Sequence, residues 1–249
     1  MRIGLTYDLQ TDPQDARQAE FDPPRTIAAL RGALEALGHQ VVPLGNASAL
    51  LEQRQLLNTI ELVFNIAEGS HGRCREAWVP ALLECLNVPY VGSGPATLAV
   101  GLDKALTKRL AAGCGVPTPR WAVVEDPAPG GGMSELRFPS IVKPRHEGSG
   151  LGIDEGAVAA DETELAARVR DHDGRLPQPL LVEEFVPHGE LTVCLIGNEP
   201  PMAYPAIQRP LDPVSRLACH VVASSPREWE APLELTDVLD SAARRIAVT

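Results

Sequence analysis

Several familiar signatures are missing from these 249 residues. Neither G-x-x-x-x-G-K-[ST] nor G-x-G-x-x-G occurs, and the loop after the first apolar run has no glycine. P-loop hydrolases and Rossmann dinucleotide binders both need such a cradle for phosphate, so neither class is supported. H-E-x-x-H and G-x-S-x-G are absent too, which removes the main support for zincins and for hydrolases with a nucleophile elbow. The five cysteines (Cys74, Cys85, Cys114, Cys194, Cys219) form no C-x-x-C pair, arguing against a zinc site or a disulfide scaffold and for reduced thiols in a cytoplasm. No run of about 18 apolar residues occurs, and MRIGLTYD lacks the charged and apolar regions of a leader; a soluble, cytoplasmic protein with no membrane partner is expected. Positive charge is scarce, with 22 Lys plus Arg against 33 Asp plus Glu and a net charge of -11. A nucleic-acid partner is therefore not expected, and any anion site must be local.

What is present alternates between two periods. Ile3 to Tyr7, His39 to Leu44 and Glu61 to Ile66 read as short buried strands. Ile27, Leu30, Leu34 and Leu37 recur at helical spacing between a start at Asp22-Pro23-Pro24 and a stop at Gly38. Further helical stretches cover Ala49 to Asn58 and Glu76 to Leu86, with VPYVGS returning as a strand. Strands alternating with helices predict βαβ units around a parallel sheet. A helix over Asp103 to Ala112, closed by Gly113 and Gly115, lies near an expected domain boundary. Beyond it WAVV, SIVK, LLVEEF and ELTVCLI read as strands, PAPGGG as a flexible excursion, and Gly197-Asn198 as a hairpin-like turn. Asp161 to Glu164 make a capping box for a helix through Arg170. The last helix presents Leu235, Val238, Leu239, Ala242 and Ile246 on one face.

Chemistry gathers in a few places. Lys143 ends an apolar run and precedes Gly148-Ser149-Gly150-Leu151-Gly152. Glycines let backbone N–H groups approach an oxyanion without a Cβ in the way, although the same residues also make plain turns. Lys104 and Lys108 stand four apart on one helix face, as a ligand-binding pair or as a solvated basic face. Glu183, Glu184 and Glu190 flank Phe185 and Val186 on a strand whose edge could hydrogen-bond a purine, or are simply exposed glutamates. The six histidines are dispersed and read as surface or packing residues.

Taken in order, VFNIAEGSHGRCREAW, VPYVGSG, LDKALTKRL, FPSIVKPRHEGSGLGI and LLVEEFVPHGELTV resemble the D-alanine–D-alanine ligase family over about Glu61 to Gly197. The resemblance implies the ATP-grasp architecture, an α/β fold: an N-terminal parallel α/β domain (1–101), a central α+β lid domain (102–186) and an incomplete C-terminal α+β domain (187–249). It also implies site residues. Lys104 and Lys143 would contact ATP phosphates, and Glu147, Gly148, Ser149 and Gly150 would form the mobile loop over them, with Ser149 also helping to organise substrate. Glu183, Glu184 and Val186 would meet the adenine, and Glu190 the ribose. Glu20 matches the family's N-terminal glutamate that holds the first substrate's ammonium. The chain departs from the pattern at Gly150, where a second serine is usual, and at Glu68, where many members have a histidine.

The activity so implied is ATP-dependent joining of a carboxylate to an amine through an acyl phosphate, as in peptidoglycan precursor synthesis. The family places its Mg²⁺ ligands on an Arg-x-Asp strand and a Glu-x-Asn strand beyond the helix at 235–247, so these 249 residues are expected to lack that segment and no metal ligand is assigned. Relatives are often dimers, and a homodimer is expected. A ligase for other amino acids, and a non-catalytic nucleotide- or partner-binding module, are the alternatives.

Overall fold

The computed structural model describes residues 1–125, 135–173, 178–218 and 235–249. They divide into two compact units, Met1–Asp103 and Lys104–Thr249. The excursion expected at PAPGGG lies outside the described residues. Among those described, no helix is long and apolar enough to cross a membrane.

The first unit is built on a parallel sheet. β1 (Arg2–Tyr7), β2 (Gln40–Gly45), β3 (Leu62–Ile66) and β4 (Tyr90–Val91) lie in the order β2-β1-β3-β4, all parallel. Ile3 to Thr6 are all buried, which is why β1 reads as a continuous apolar run rather than an alternating one. A Cβ on Gly4 would sit 2.4 Å from Leu44 Cδ1; only glycine lets Leu44 fill the centre of the core with Leu50, Val63, Val79 and Leu83.

α1 (Pro24–Ala36) begins with proline at its first position and ends where Gly38 adopts φ 84°. Gly38 N–H donates to the Glu35 carbonyl and His39 N–H to that of Leu34, the Schellman arrangement that the glycine stop implies. Ile27, Leu30 and Leu34 are half-buried, but Leu37 is 73% exposed: it is the C-cap, and the helical period that would keep it on the stripe has already ended.

The helix expected over 49–58 divides into α2 (Ala47–Glu52) and a 3-10 turn at Arg54–Thr59. That expected over 76–86 becomes a 3-10 turn at Arg75–Ala77 followed by α3 (Trp78–Cys85). One helix, α4 (Pro95–Leu102), was not anticipated. Gly94 and Pro95 start it, and Asp103 in extended backbone separates it from the next helix.

The second unit opens with α5 (Lys104–Gly113) and an antiparallel sheet. β5 (Trp121–Val124), β6 (Ser140–Pro144), β7 (Val158–Ala159) and β8 (Leu180–Glu184) take the order β5-β8-β6-β7. α6 (Glu162–Asp173) contributes Leu165 and Val169 to a core with Val124, Val142, Leu180 and Val182. Its start is a capping box: Asp161 Oδ1 accepts from Thr163 and Glu164 N–H, and the Glu164 carboxylate reaches back to Ala160 N–H.

The expected strand at 190–196 is broken into β9 (Glu190–Thr192) and β10 (Leu195–Ile196). β10 pairs with β11 (Met202–Ala203) across the turn at Gly197, which has φ 94°, and β9 pairs with β12 (Ile207–Arg209). α7 (Asp237–Ala247) is capped by Thr236, whose hydroxyl accepts from Leu239 N–H at 3.3 Å.

Candidate functional site

In the second unit the register of one sheet assembles a charged face. β6 and β8 pair with Ile141 opposite Glu183 and Lys143 opposite Leu181. Side chains two residues apart share a face of a strand, so Lys143 and Glu183 stand diagonally on one face, while Val142 and Val182 enter the apolar core on the other. α5 supplies the third member. Glu183 Oε1 pairs with Lys143 Nζ and Oε2 with Lys108 Nζ, and Lys108 donates a second bond to Thr118 Oγ1 at 2.6 Å.

The three side chains are 11–20% exposed, where an unpaired charge would be costly. Burial raises the pKa of Glu183; the ammonium of Lys143, then that of Lys108, outweighs it and holds the carboxyl below its usual 4.5. With the carboxylate ionised, two ammonium groups leave one positive charge in surplus. Trp121, paired with Glu183 across β5 and β8, lies on the same face, with the Arg109 guanidinium 5.5 Å from its ring centre.

Lys104 lies one helical turn before Lys108. Its Nζ donates to the Glu147 carbonyl, and its backbone N–H to that of Arg145 at 3.1 Å. Gln178 clasps the same segment: its amide donates to Glu147 Oε1 at 2.7 Å and accepts from His146 N–H at 2.9 Å. The glycine loop leaves from this fixed root. Leu151 N–H closes on the Gly148 carbonyl at 2.9 Å, with Ser149 at φ 47° and Gly150 at φ 76° between them. Turns with two central residues at positive φ favour glycine strongly, and the exposed Ser149 occupies one of those positions.

The remaining sequence candidates in this unit do not join the cluster through their side chains. Glu184 follows Glu183 in β8 and points to the opposite face, where its carboxylate accepts from Arg137 N–H at 3.3 Å and lies 4.0 Å from Arg120. The period-2 alternation of a strand prevents both glutamates from facing one ligand with their side chains. Val186 and Glu190 are exposed, the latter at the start of β9. Lys108, Thr118 and Gln178 had no assigned role. Only Lys108 carried a signal, its spacing of four from Lys104; Thr118 and Gln178 arrive through tertiary packing.

The first unit gathers charge of the other sign. Past the carboxyl ends of β1 and β3 the chain enters Asp8 and Glu68-Gly69, and in open α/β sheets ligands bind at such ends. Asp8 is buried and accepts from Gly69 N–H at 2.8 Å. Gly69 has φ 76°, and a Cβ there would lie 2.6 Å from the Arg75 carbonyl, so the glycine lets the 3-10 turn carrying Arg75 close over it. Arg75 donates to Glu20 Oε2 at 2.5 Å, the two side chains 9% and 6% exposed. Glu20, expected to hold a substrate ammonium, thus already shares one oxygen with a guanidinium 55 residues away. Glu68 is pushed up to about 7: burial is the largest cause, Glu76, Glu20 and Asp22 add to it, and Arg75 opposes. Burial raises Asp22 as well.

Magnesium favours carboxylate oxygens in company with phosphates, and among the described residues no group of three or more His, Cys, Asp or Glu is placed to hold a metal.

Two solved-structure matches give the class. A D-alanine–D-alanine ligase from Bacillus anthracis complexed with ATP aligns with all of this chain and 76% of its own, at TM-score 0.72 and 19% identity, and a second structure of a D-alanine–D-alanine ligase from Bacillus anthracis matches at 0.69. The fold is the ATP-grasp fold. Residues 110–213 match the family described as D-ala D-ala ligase C-terminus. An uncharacterized protein of Sinorhizobium fredii is 33% identical over 191 residues, 74% of this chain and 55% of that protein, and a D-alanine–D-alanine ligase of Alcanivorax borkumensis is 38% identical over 180 residues, 72% and 55%. By these matches the chain is similar to the D-alanine–D-alanine ligase family, and it spans about half the length of the curated relatives it matches.

Proposed function

We propose that this protein is an ATP-dependent ligase joining a carboxylate to an amine, of the D-alanine–D-alanine type, acting in the cytoplasm in peptidoglycan precursor synthesis. The observation that carries the proposal is the basic face of α5: Lys108 meets Lys143 through Glu183, while Lys104 holds the root of the glycine loop. Lys104, Lys143 and the N–H groups of residues 147–152 would grip a triphosphate. The backbone of 183–186 would line the adenine and Glu190 the ribose, and Ser149 would reach from the loop towards phosphate and substrate. Glu20 would take the ammonium of the first amino acid. In this scheme residues 1–101 form the N-terminal domain, 102–186 the lid and 187–249 part of the C-terminal ATP-grasp domain, in a homodimer.

The reaction needs little covalent chemistry from the chain. A substrate carboxylate oxygen takes the γ-phosphoryl group, and the amine of a second amino acid then displaces phosphate from the acyl phosphate. Lysines and loop N–H groups stabilise the charge spread over the phosphoryl oxygens, and a closed loop keeps water from the acyl phosphate. Mg²⁺ is expected beside the phosphates; no described residue is assigned to it.

ADP release by the purified chain with Mg-ATP and each of a panel of amino acids tests this. Release that depends on D-alanine is the expected result. Release with other amino acids alone would point to the sibling ligase, and nucleotide binding without any release to the binding module.

A further inference from the structure

We infer that Lys108 is a positioning residue: it keeps Glu183 neutralised while Lys143 turns to an incoming phosphate. The inference rests on the ATP-binding reading above and deepens it. Glu183 is held by one lysine on each oxygen, and it is the partner that occupies Lys143 in the free protein. An anion that draws Lys143 away would, in a simple pair, strand a buried carboxylate at considerable cost.

Here the carboxylate keeps Lys108, whose own direction is fixed by Thr118 Oγ1 at 2.6 Å. Its helix is in turn anchored one turn earlier, where Lys104 donates to the Arg145 and Glu147 carbonyls. Two cations on one carboxylate also leave a surplus positive charge at the end of β6, from which the chain runs through residues 145–147 into the glycine loop. Lys108 therefore makes Lys143 available without touching the ligand itself.

The experiment compares Lys108→Met, Glu183→Gln and the double variant, each checked for folding by circular dichroism, with ATP and with inorganic tripolyphosphate as titrants. Lys108→Met should weaken both by about tenfold, because Lys143 becomes the sole partner of a buried carboxylate. The double variant should recover to within about threefold of Glu183→Gln alone, since position 183 then carries no charge to be stranded. A purely structural lysine would give no such rescue. Unchanged affinity in folded Lys108→Met, or a double variant no better than it, would overturn the inference.

If Lys108→Met does not fold, Thr118→Val replaces it: a loss of about threefold that Glu183→Gln reverses supports the relay, and wild-type affinity overturns it. Tripolyphosphate binding with this dependence but no ATP binding would sink the nucleotide reading and leave the relay standing; binding of neither would sink both.

Discussion

The ends of the two sheets solve opposite electrostatic problems. In the first unit, carboxylates crowd around one guanidinium: Glu20 is paired with Arg75, while Glu68 is driven up to about 7 by burial and by Glu76, Glu20 and Asp22. In the second, ammonium groups crowd around one carboxylate, and Glu183 is held below 4.5 although it is buried. Burial acts alike on both glutamates, so the sign of the neighbours decides the outcome. A surplus of carboxylate suits an ammonium and a surplus of ammonium suits a phosphate, the two charges that an amino acid and a nucleotide bring.

The comparison is broken most severely at its pairs. Arg75→Met removes the partner of a carboxylate only 6% exposed and should destabilise the first unit by about 3–5 kcal/mol, read as a lowered urea midpoint. A loss under about 1 kcal/mol would mean that Glu20 is solvated as the surface pair Arg31–Glu35 is, and that the first unit stores no uncompensated charge. Next in size, Lys143→Ala should weaken ATP binding by about 100-fold and Lys108→Ala by less. Equal losses would show that the two lysines share one role and would remove the asymmetry on which the phosphate assignment depends.

Sequence made part of this legible, and the dividing line is physical. Parallel strands, helix stops and the capping box at Asp161 follow from local period and backbone preference, so they could be read directly, as could Lys104 with Lys108 from helical spacing. The pairing of Glu20 with Arg75 joins residues 55 apart, and that of Lys108 with Glu183 joins residues 75 apart; such contacts depend on packing, which no local pattern encodes. Motif resemblance named Lys143 and Glu183 individually but assigned them to different parts of a ligand. Only the β6–β8 register shows that, in the free protein, they meet each other.

The pH dependence of stability sharpens the contrast, because the two glutamates act with opposite signs. Glu183 has a folded-state pKa below its usual 4.5, so its contribution is fully present above about pH 4.5 and is lost as pH falls through the depressed value. Glu68 has a folded-state pKa raised from 4.5 to about 7. The unfolded chain ionises it first, so stability declines as pH rises from 4.5 to about 7 and is level above that. Glu68→Gln should remove this decline, and Glu183→Gln should flatten the acid limb. Urea midpoints at half-unit pH steps would check both; a decline between pH 5 and 7 that survives in Glu68→Gln would place its origin elsewhere.

The smallest effect is expected one residue further along β8. Glu184 has the same side chain as Glu183 and the same strand, but it faces the other way, with Arg120 at 4.0 Å and the Arg137 N–H at 3.3 Å. Its pair is half-exposed, of the kind worth about 0–1 kcal/mol. Glu184→Ala should therefore change the unfolding free energy, read from urea titration, by less than about 1 kcal/mol and ATP affinity by less than about threefold. The motif resemblance carries adenine contact to both glutamates, whereas strand alternation allows a side-chain contact from only one on a given face. If Glu184→Ala weakened ATP binding tenfold or more, the adenine would lie against the Arg120 face, and the lysine-held face would have to bind its anion without the purine beside it.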